Sequence, residues 1–296
     1  MASAALQAVI DQLRANPILA DAPLAVLRAT FPEAPAPEGT MVIPVDAGGV
    51  RAEWVVADDA APDRRLLYLH GGGYVFCRPA THRDLAGRLS KAAQVAVLVL
   101  DYRLAPEHPY PAAVDDALAA LRWIGGNGPD GPAPASATFV AGDSAGGGLT
   151  LATLIGARDG SVRMPDAAVT LSAWADLACT GNTMLTRAAV DPMVTAAVLQ
   201  RMLREYLQGG NPAQPLASPL YADLRGLPPL LMQVGDAEVL LDDTLGVAEK
   251  AKAAGVDVTV EVYPEMIHVF QFFAPVLPEG QQAIDRIGAF LKQAGR

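Results

Sequence analysis

Ala137-Thr138-Phe139-Val140-Ala141-Gly142-Asp143-Ser144-Ala145-Gly146-Gly147-Gly148-Leu149 sets the architecture of this chain. The run Ala137 to Ala141 is short and apolar, as a strand buried on both faces must be. From Ala145 to Ala157 the pattern is helical. Between them, Gly142-Asp143-Ser144-Ala145-Gly146 matches G-x-S-x-G. So tight a strand-to-helix turn thrusts its central side chain above the sheet, and glycine on either side removes the Cβ atoms that would collide with strand and helix. Ser144 is therefore a candidate nucleophile. The plain alternative is a Gly-rich strand-to-helix turn with a capping serine, and the strand and helix on its flanks favour the nucleophile over it.

Working outward, seven further strand-sized segments appear: Met41 to Val45, Arg51 to Val56, Leu66 to Leu69, Val95 to Leu100, Ala167 to Leu171, Leu230 to Val234 and Val258 to Tyr263. Helical patterns separate most of them, at Thr81 to Ala93, Ala112 to Ile124 and Asp242 to Ala254, with a last one from Gln281 to Lys292. Such alternation predicts an α/β fold with a mostly parallel eight-stranded sheet and helices on both faces. The first two strands, joined by Gly48-Gly49, form a hairpin at its antiparallel edge. Thr81 with Asp84 resembles a capping box, and Asp242 or Asp243 could cap the helix that follows them.

Two regions do not fit a plain alternation. Residues 1–35 place Leu6, Val9, Ile10 and Leu13, then Leu24, Val26, Leu27 and Phe31, at helical spacing before the Pro32 to Pro37 stretch. The connection from Ser172 to Pro229 is far longer than an ordinary crossover. Inside it Val198, Leu199, Met202, Leu203 and Tyr206 share one helical face, as a lid over the sheet would require.

Composition narrows the function. The chain has 296 residues, 51% of them hydrophobic and 18% charged, which excludes a disordered or fibrous protein. Its 32 acidic and 22 basic residues leave a net charge of −10, and no basic run offers a stripe to nucleic acid. Cys77 and Cys179 are too few for a disulfide scaffold and lack metal spacing, so plain thiols are expected. The N-terminal residues from Met1 lack a cationic region and are interrupted by Asp11 and Arg14, and no apolar run reaches the ~20 residues of a bilayer span. A cytoplasmic protein with no membrane span is expected.

Further candidates for chemistry follow from Ser144. His70-Gly71-Gly72-Gly73 comes after the strand ending at Leu69. Acyl transfer places negative charge on a carbonyl oxygen, and backbone N–H groups aimed at that point stabilise it without reorganisation. Gly72 and Gly73, with Gly71 as a further candidate, supply such donors beside the N–H of Ala145. The phosphate-loop alternative lacks its Lys-Ser/Thr ending. Of four histidines, His70, His82, His108 and His268, only His268 follows the nucleophile, as the chain order of a serine hydrolase requires of the base. His82 and His108 have no metal-ligand companions and read as surface or hydrogen-bonded residues. The acid belongs after Val234, where Asp236 and Glu238 both qualify.

These stretches, with Asp101-Tyr102-Arg103-Leu104-Ala105-Pro106-Glu107-His108-Pro109-Tyr110-Pro111-Ala112, resemble the hormone-sensitive-lipase-like family, the bacterial type IV esterases. The resemblance runs from about residue 40 to the C-terminus. It implies an α/β-hydrolase fold, with cap helices in 1–35, a catalytic domain in 36–173 and 215–296, and an inserted cap segment in 174–214. It implies hydrolysis of short-chain carboxylic esters by Ser144 and His268, with Gly72, Gly73 and Ala145 as oxyanion hole and no metal or cofactor. The family's acid is an Asp followed by Pro-Leu-x-Asp; here Glu238-Val239-Leu240-Leu241-Asp242 stands in its place, so Glu238 takes that position with Asp236 as competitor. Arg103 and Glu107 are expected to pair, or to bond backbone near the nucleophile loop. The partner is a small-molecule ester, not nucleic acid, and a homodimer is left open. An amidase or peptidase with the same triad, or a receptor on an inactive hydrolase fold, are the alternatives.

Overall fold

The computed structural model describes residues 3–294. The four terminal residues, included in the expected segments 1–35 and 215–296, lie outside the described residues. Eight strands form one sheet: β1 (Thr40–Asp46), β2 (Arg51–Ala57), β3 (Ala61–Leu69), β4 (Val95–Leu100), β5 (Ala137–Asp143), β6 (Ala167–Leu171), β7 (Leu230–Gly235) and β8 (Val258–Tyr263), in the spatial order β1-β2-β4-β3-β5-β6-β7-β8. β2 pairs antiparallel with both β1 and β4, while β3 to β8 pair parallel. The hairpin is present, and its inner strand β2 alone runs against the rest.

β3 begins at Ala61, five residues before its apolar run, because Arg65 is accommodated rather than excluded. Its buried guanidinium donates to the carbonyls of Pro62, Ile124 and Ala133. Within the apolar run the side chains alternate. Leu66 and Tyr68 face α3 (Pro79–Ala93) and α9 (Pro278–Ala294). Leu67 and Leu69 face α4 (Ala112–Ile124), α5 (Ala145–Asp159) and α8 (Leu241–Ala253). Burial on both faces is what makes these strands read as continuous apolar runs.

Two expected caps are corrected. α3 begins at Pro79, so Thr81 is its third residue, and its hydroxyl accepts the Arg78 N–H rather than pairing with Asp84. α8 begins at Leu241 with no side-chain cap. Asp243 instead accepts the N–H groups of Ala175 and Asp176, and Asp242 accepts that of Thr183. Both carboxylates tie α8 to the long connection after β6.

The N-terminal segment forms α1 (Ala4–Ala15) and α2 (Leu24–Ala29). Ser3 caps α1 by accepting the Leu6 N–H, and Leu6 and Val9 are buried against Met266, Ile267 and Phe270. Val26, expected on the apolar face, points outward and is 55% exposed. The insertion carries a short α6 (Thr183–Thr186) and α7 (Ala196–Leu207), capped by Thr195. Arg28 of α2 donates to Val75 O and Ala105 O and pairs with Glu107 at 2.7 Å, so Glu107 bonds α2 rather than Arg103. Arg103 pairs with Asp116 instead. Among the described residues no helix is long and apolar enough to cross a membrane. Cys77 and Cys179 are free.

Candidate active site

The turn between β5 and α5 holds Ser144 at φ 53°, ψ −121°, a left-handed conformation that non-glycine residues occupy only when their surroundings impose it. Those surroundings are main chain. A Cβ on Gly142 would overlap the Gly146 carbonyl, and one on Gly146 would overlap the carbonyl oxygen of Leu69. The Ser144 N–H donates to Leu171 O at 2.8 Å, and its carbonyl accepts from Trp174 N–H and Gly148 N–H. The side chain is left pointing off the carboxyl end of the sheet.

His268 follows β8 and reaches back to it, with Nε2 2.9 Å from Ser144 Oγ. Its Nδ1 lies 2.8 Å from Glu238 Oε2, a carboxylate oxygen that can only accept when ionised, so Nδ1 carries hydrogen and Nε2 is free to accept the serine proton. Glu238 is fully buried. Its Oε1 accepts from Ser172 Oγ at 2.8 Å and from Gly235 N–H at 2.6 Å. The competitor Asp236 lies in the same loop but accepts the Glu265 N–H, and its carbonyl takes Arg187 Nε. It orders the loop and does not touch His268. Burial acts to lower the His268 pKa, but the bond to Glu238 and the charges of Glu238, Asp191 and Asp143 outweigh it and raise the pKa above 6.5.

The glycines after β3 divide into two groups. The Gly71 N–H donates to Asp143 Oδ1 at 3.0 Å, so it is spent on the elbow and is corrected as an oxyanion donor. Gly72 (φ 104°) and Gly73 (φ 60°) follow in the left-handed region, and among the described residues no protein acceptor takes their N–H groups or that of Ala145. A Cβ on Gly72 would overlap the Phe76 carbonyl, so only glycine lets the loop fold over itself.

Beneath this loop lies a buried cluster that motif reasoning did not separate from the elbow. Asp143 Oδ1 also accepts from Tyr68 OH at 2.8 Å, and His82 Nε2 stands 3.3 Å away, an electrostatic contact rather than an aligned hydrogen bond. Burial acts to raise the Asp143 carboxyl, and His82 and Tyr68 together bring it below its ordinary range. His82 is thus a core residue, whereas His108 is exposed. His70 stacks on Tyr102 at 4.3 Å and donates from Nδ1 to Gly71 O. Burial pushes the His70 pKa down to about 3, which keeps the ring neutral. Two other contributors carry no sequence motif. Ser172 donates to Glu238 and accepts the Val269 N–H, joining the acid and histidine loops. Asp191, from the long insertion, accepts the Val239 N–H at 2.9 Å. Ser172 is marked in the sequence only as a polar residue inside a buried stretch, and Asp191, between exposed and half-buried neighbours, carries no signal at all.

Ser144, His268, Gly72 and Gly73 line a cavity of about 670 Å³. Its other walls come from α1 (Leu13), from Phe31 and Phe76, and from α7 (Leu199 and Met202). Tyr206, expected beside Met202, does not line it; its ring stacks on Tyr74 at 3.9 Å behind the wall. Among the described residues no cluster of His, Cys, Asp or Glu could hold a metal ion.

Residues 66–272 match a family described as alpha/beta hydrolase fold. An acetyl-hydrolase of Streptomyces hygroscopicus is 45% identical over 299 residues, covering 99% of this chain and 98% of its own. A crystal structure of EstE5 soaked with ethyl alcohol superposes with a TM-score of 0.94 at 45% identity, covering 99% of each chain. An esterase from the bacterial hormone-sensitive lipase family superposes with a TM-score of 0.92 at 43% identity over 100% of both. With the match extending over nearly the whole of both chains, the chain belongs to the α/β-hydrolase superfamily and, within it, to the bacterial hormone-sensitive-lipase family of esterases.

Proposed function

We propose that this carboxylic ester hydrolase cleaves short-chain esters through an acyl-enzyme on Ser144, with His268 as general base and Glu238 as the acid that orients it. The observation that carries the reading is the continuous relay of 2.9 and 2.8 Å contacts from Ser144 Oγ through the His268 ring to Glu238. His268 Nε2 takes the hydroxyl proton as Oγ attacks the ester carbonyl. The oxygen gains negative charge at the N–H groups of Gly72, Gly73 and Ala145, whose fixed dipoles need no reorganisation to meet it. Collapse expels the alkoxide, which takes the proton back from Nε2 and leaves as the alcohol. Water, deprotonated by the same nitrogen, then releases the carboxylic acid and frees Ser144.

The same reading makes residues 1–35 and 174–214 a cap over the catalytic domain formed by 36–173 and 215–296. Both cap segments contribute cavity walls, through Leu13 and Phe31 on one side and Leu199 and Met202 on the other. Cavity size and apolar lining suit a small ester. The test is inactivation by an organophosphate, followed by mass spectrometry, alongside turnover of p-nitrophenyl esters with an anilide control. A single adduct on Ser144, absent in Ser144→Ala, is the expected result. An adduct on a different serine, or turnover retained by Ser144→Ala, overturns the reading.

A further inference from the structure

Asp191 stands in the long insertion between α6 and α7 and is 7% exposed. Its Oδ1 accepts the N–H groups of Met193 and Val194, and its Oδ2 that of Val239, each at 2.9 Å. The first two bonds shape a stretch, Pro192 to Val194, that forms one wall of the cavity. The third reaches the residue immediately after Glu238, 48 positions away in sequence. One carboxylate thus holds a wall of the substrate cavity and the loop of the triad acid together.

Its charge is the second observation. Among the described residues no cation pairs with Asp191, and a buried carboxylate left with N–H donors alone is a costly arrangement. The group beside it able to acquire positive charge is His268, with which it interacts electrostatically. Arg187, the nearest cation in its own segment, spends its Nε on the Asp236 carbonyl. The other carboxylates acting on His268 are Glu238 from the acid loop and Asp143 from the elbow, while Asp236 and the exposed Glu265 lie in the flanking loops. Asp143 is already faced by His82, and Asp236 is turned toward the Glu265 N–H. Glu238 and Asp191 are left to answer the imidazolium as it forms.

We infer that Asp191 is a positioning residue with two linked tasks: it seats the Pro192 to Val194 wall on the loop that carries Glu238, and it places a second negative charge beside His268 when that ring is protonated. The inference rests on the triad reading above. It couples the position of the wall to the charge near the base, because displacing one also moves the other. Burial pushes the Asp191 carboxyl above its ordinary range, against the pull of His268 and the three N–H donors.

Two variants separate the tasks. Asp191→Asn removes the charge and, because its amide nitrogen cannot accept, also one set of the backbone N–H bonds, so the charge is read from the pH profile alone; Asp191→Glu keeps the charge and displaces the wall. With p-nitrophenyl esters of increasing chain length, Asp191→Asn should move the acid limb of kcat/KM down by about half a pH unit or more. Asp191→Glu should leave that limb in place while raising KM several-fold for the longer esters with a smaller change in kcat. An unmoved acid limb in Asp191→Asn, or a limb moved equally by both variants, overturns the inference. So does failure of both to fold, which would make Asp191 a determinant of the fold alone. Ser144→Ala and Glu238→Gln in the same assay keep the two levels apart: activity retained in these sinks the triad reading, whereas their loss with an unaltered Asp191→Asn sinks only the role given to Asp191.

Discussion

Ser144 and Met202 face the same cavity, and opposite kinds of contact hold them there. Around Ser144 the contacts are main chain on main chain, with Gly142 and Gly146 against the carbonyls of Gly146 and Leu69. Around Met202 they are side chains: α7 lies over Gly73, Arg201 reaches the Ala20 carbonyl at 3.1 Å, and Tyr206 stacks on Tyr74. Side chains can change rotamer and repack, whereas a carbonyl oxygen in a sheet cannot yield without moving its strand. The floor of the cavity should therefore fail abruptly when altered, and the roof should shift by degrees.

The largest effect expected is at the acid. Glu238→Gln should lower kcat by on the order of 10³- to 10⁴-fold with an unchanged circular dichroism spectrum, as when an orienting carboxylate becomes an amide. Asp236→Asn, which loosens only the bond from Glu265 N–H, should stay within about threefold. Comparable losses in the two would mean that the loop, not the carboxylate in contact with His268, is what matters.

Two glycine substitutions test the contrast itself. Gly146→Ala sets a methyl group against Leu69 O and should cost about 3 kcal/mol in urea unfolding. Gly73→Ala meets Met202 Cγ at 2.6 Å, an atom of a flexible side chain, and should cost about 1–2 kcal/mol, mostly for its positive φ. Equal costs would break the distinction between floor and roof.

Acidity sharpens it. In the proposed mechanism the active form of His268 is neutral, and its pKa in the fold is raised, so kcat/KM should fall about tenfold per pH unit on acidification, from a midpoint above 6.5. The stability contribution has the opposite sign. A raised folded pKa stabilises fully below the unfolded value, and that stabilisation is lost as pH rises through the folded one. Between 6.5 and the folded pKa, activity should therefore climb while this part of the stability declines, as kcat/KM and Tm measured in the same buffers would show. A midpoint below 6.5 would contradict the raised pKa.

The smallest effects belong to the roof. Met202→Ala should shift the preference among p-nitrophenyl esters toward longer chains by about tenfold in kcat/KM ratio, the scale of one or two methylenes in an apolar pocket. Tyr206→Phe removes a buried hydroxyl that has no partner among the described residues, so stability should hold or rise by up to about 1 kcal/mol with chain-length preference unaltered. A change of preference in Tyr206→Phe would place that ring in the cavity after all.

Much of the site was legible because its signals are local. The elbow is five adjacent residues whose glycines answer to contacts within the turn and with one neighbouring strand. His268 followed from chain order, since three of the four histidines precede Ser144. Glycine richness also pointed to the oxyanion loop, but not to which amide is spent: Gly71 is bound to Asp143, 72 residues away. Local spacing misled at Asp242 and Asp243, whose place ahead of a helical pattern suggested caps although their partners lie across the fold at Thr183, Ala175 and Asp176. Tyr206 shares a helical face with Met202, yet one turn along α7 was enough to carry it behind the wall.

By itself, then, the sequence determined the eight strands, the alternation that makes the sheet parallel, the elbow serine and its only downstream histidine, because periodicity and turn chemistry are written among neighbouring residues. Tertiary structure decided the strand order β2-β4-β3-β5, the single reversed strand, and which of two loop carboxylates meets the imidazole. It alone revealed Ser172 bonded to Glu238 and Asp191 bonded to the residue after it. Those outcomes depend on side chains tens to hundreds of residues apart finding one another in a packed, desolvated interior, where each buried polar group must be matched and the match is chosen by the whole fold rather than by any stretch of it.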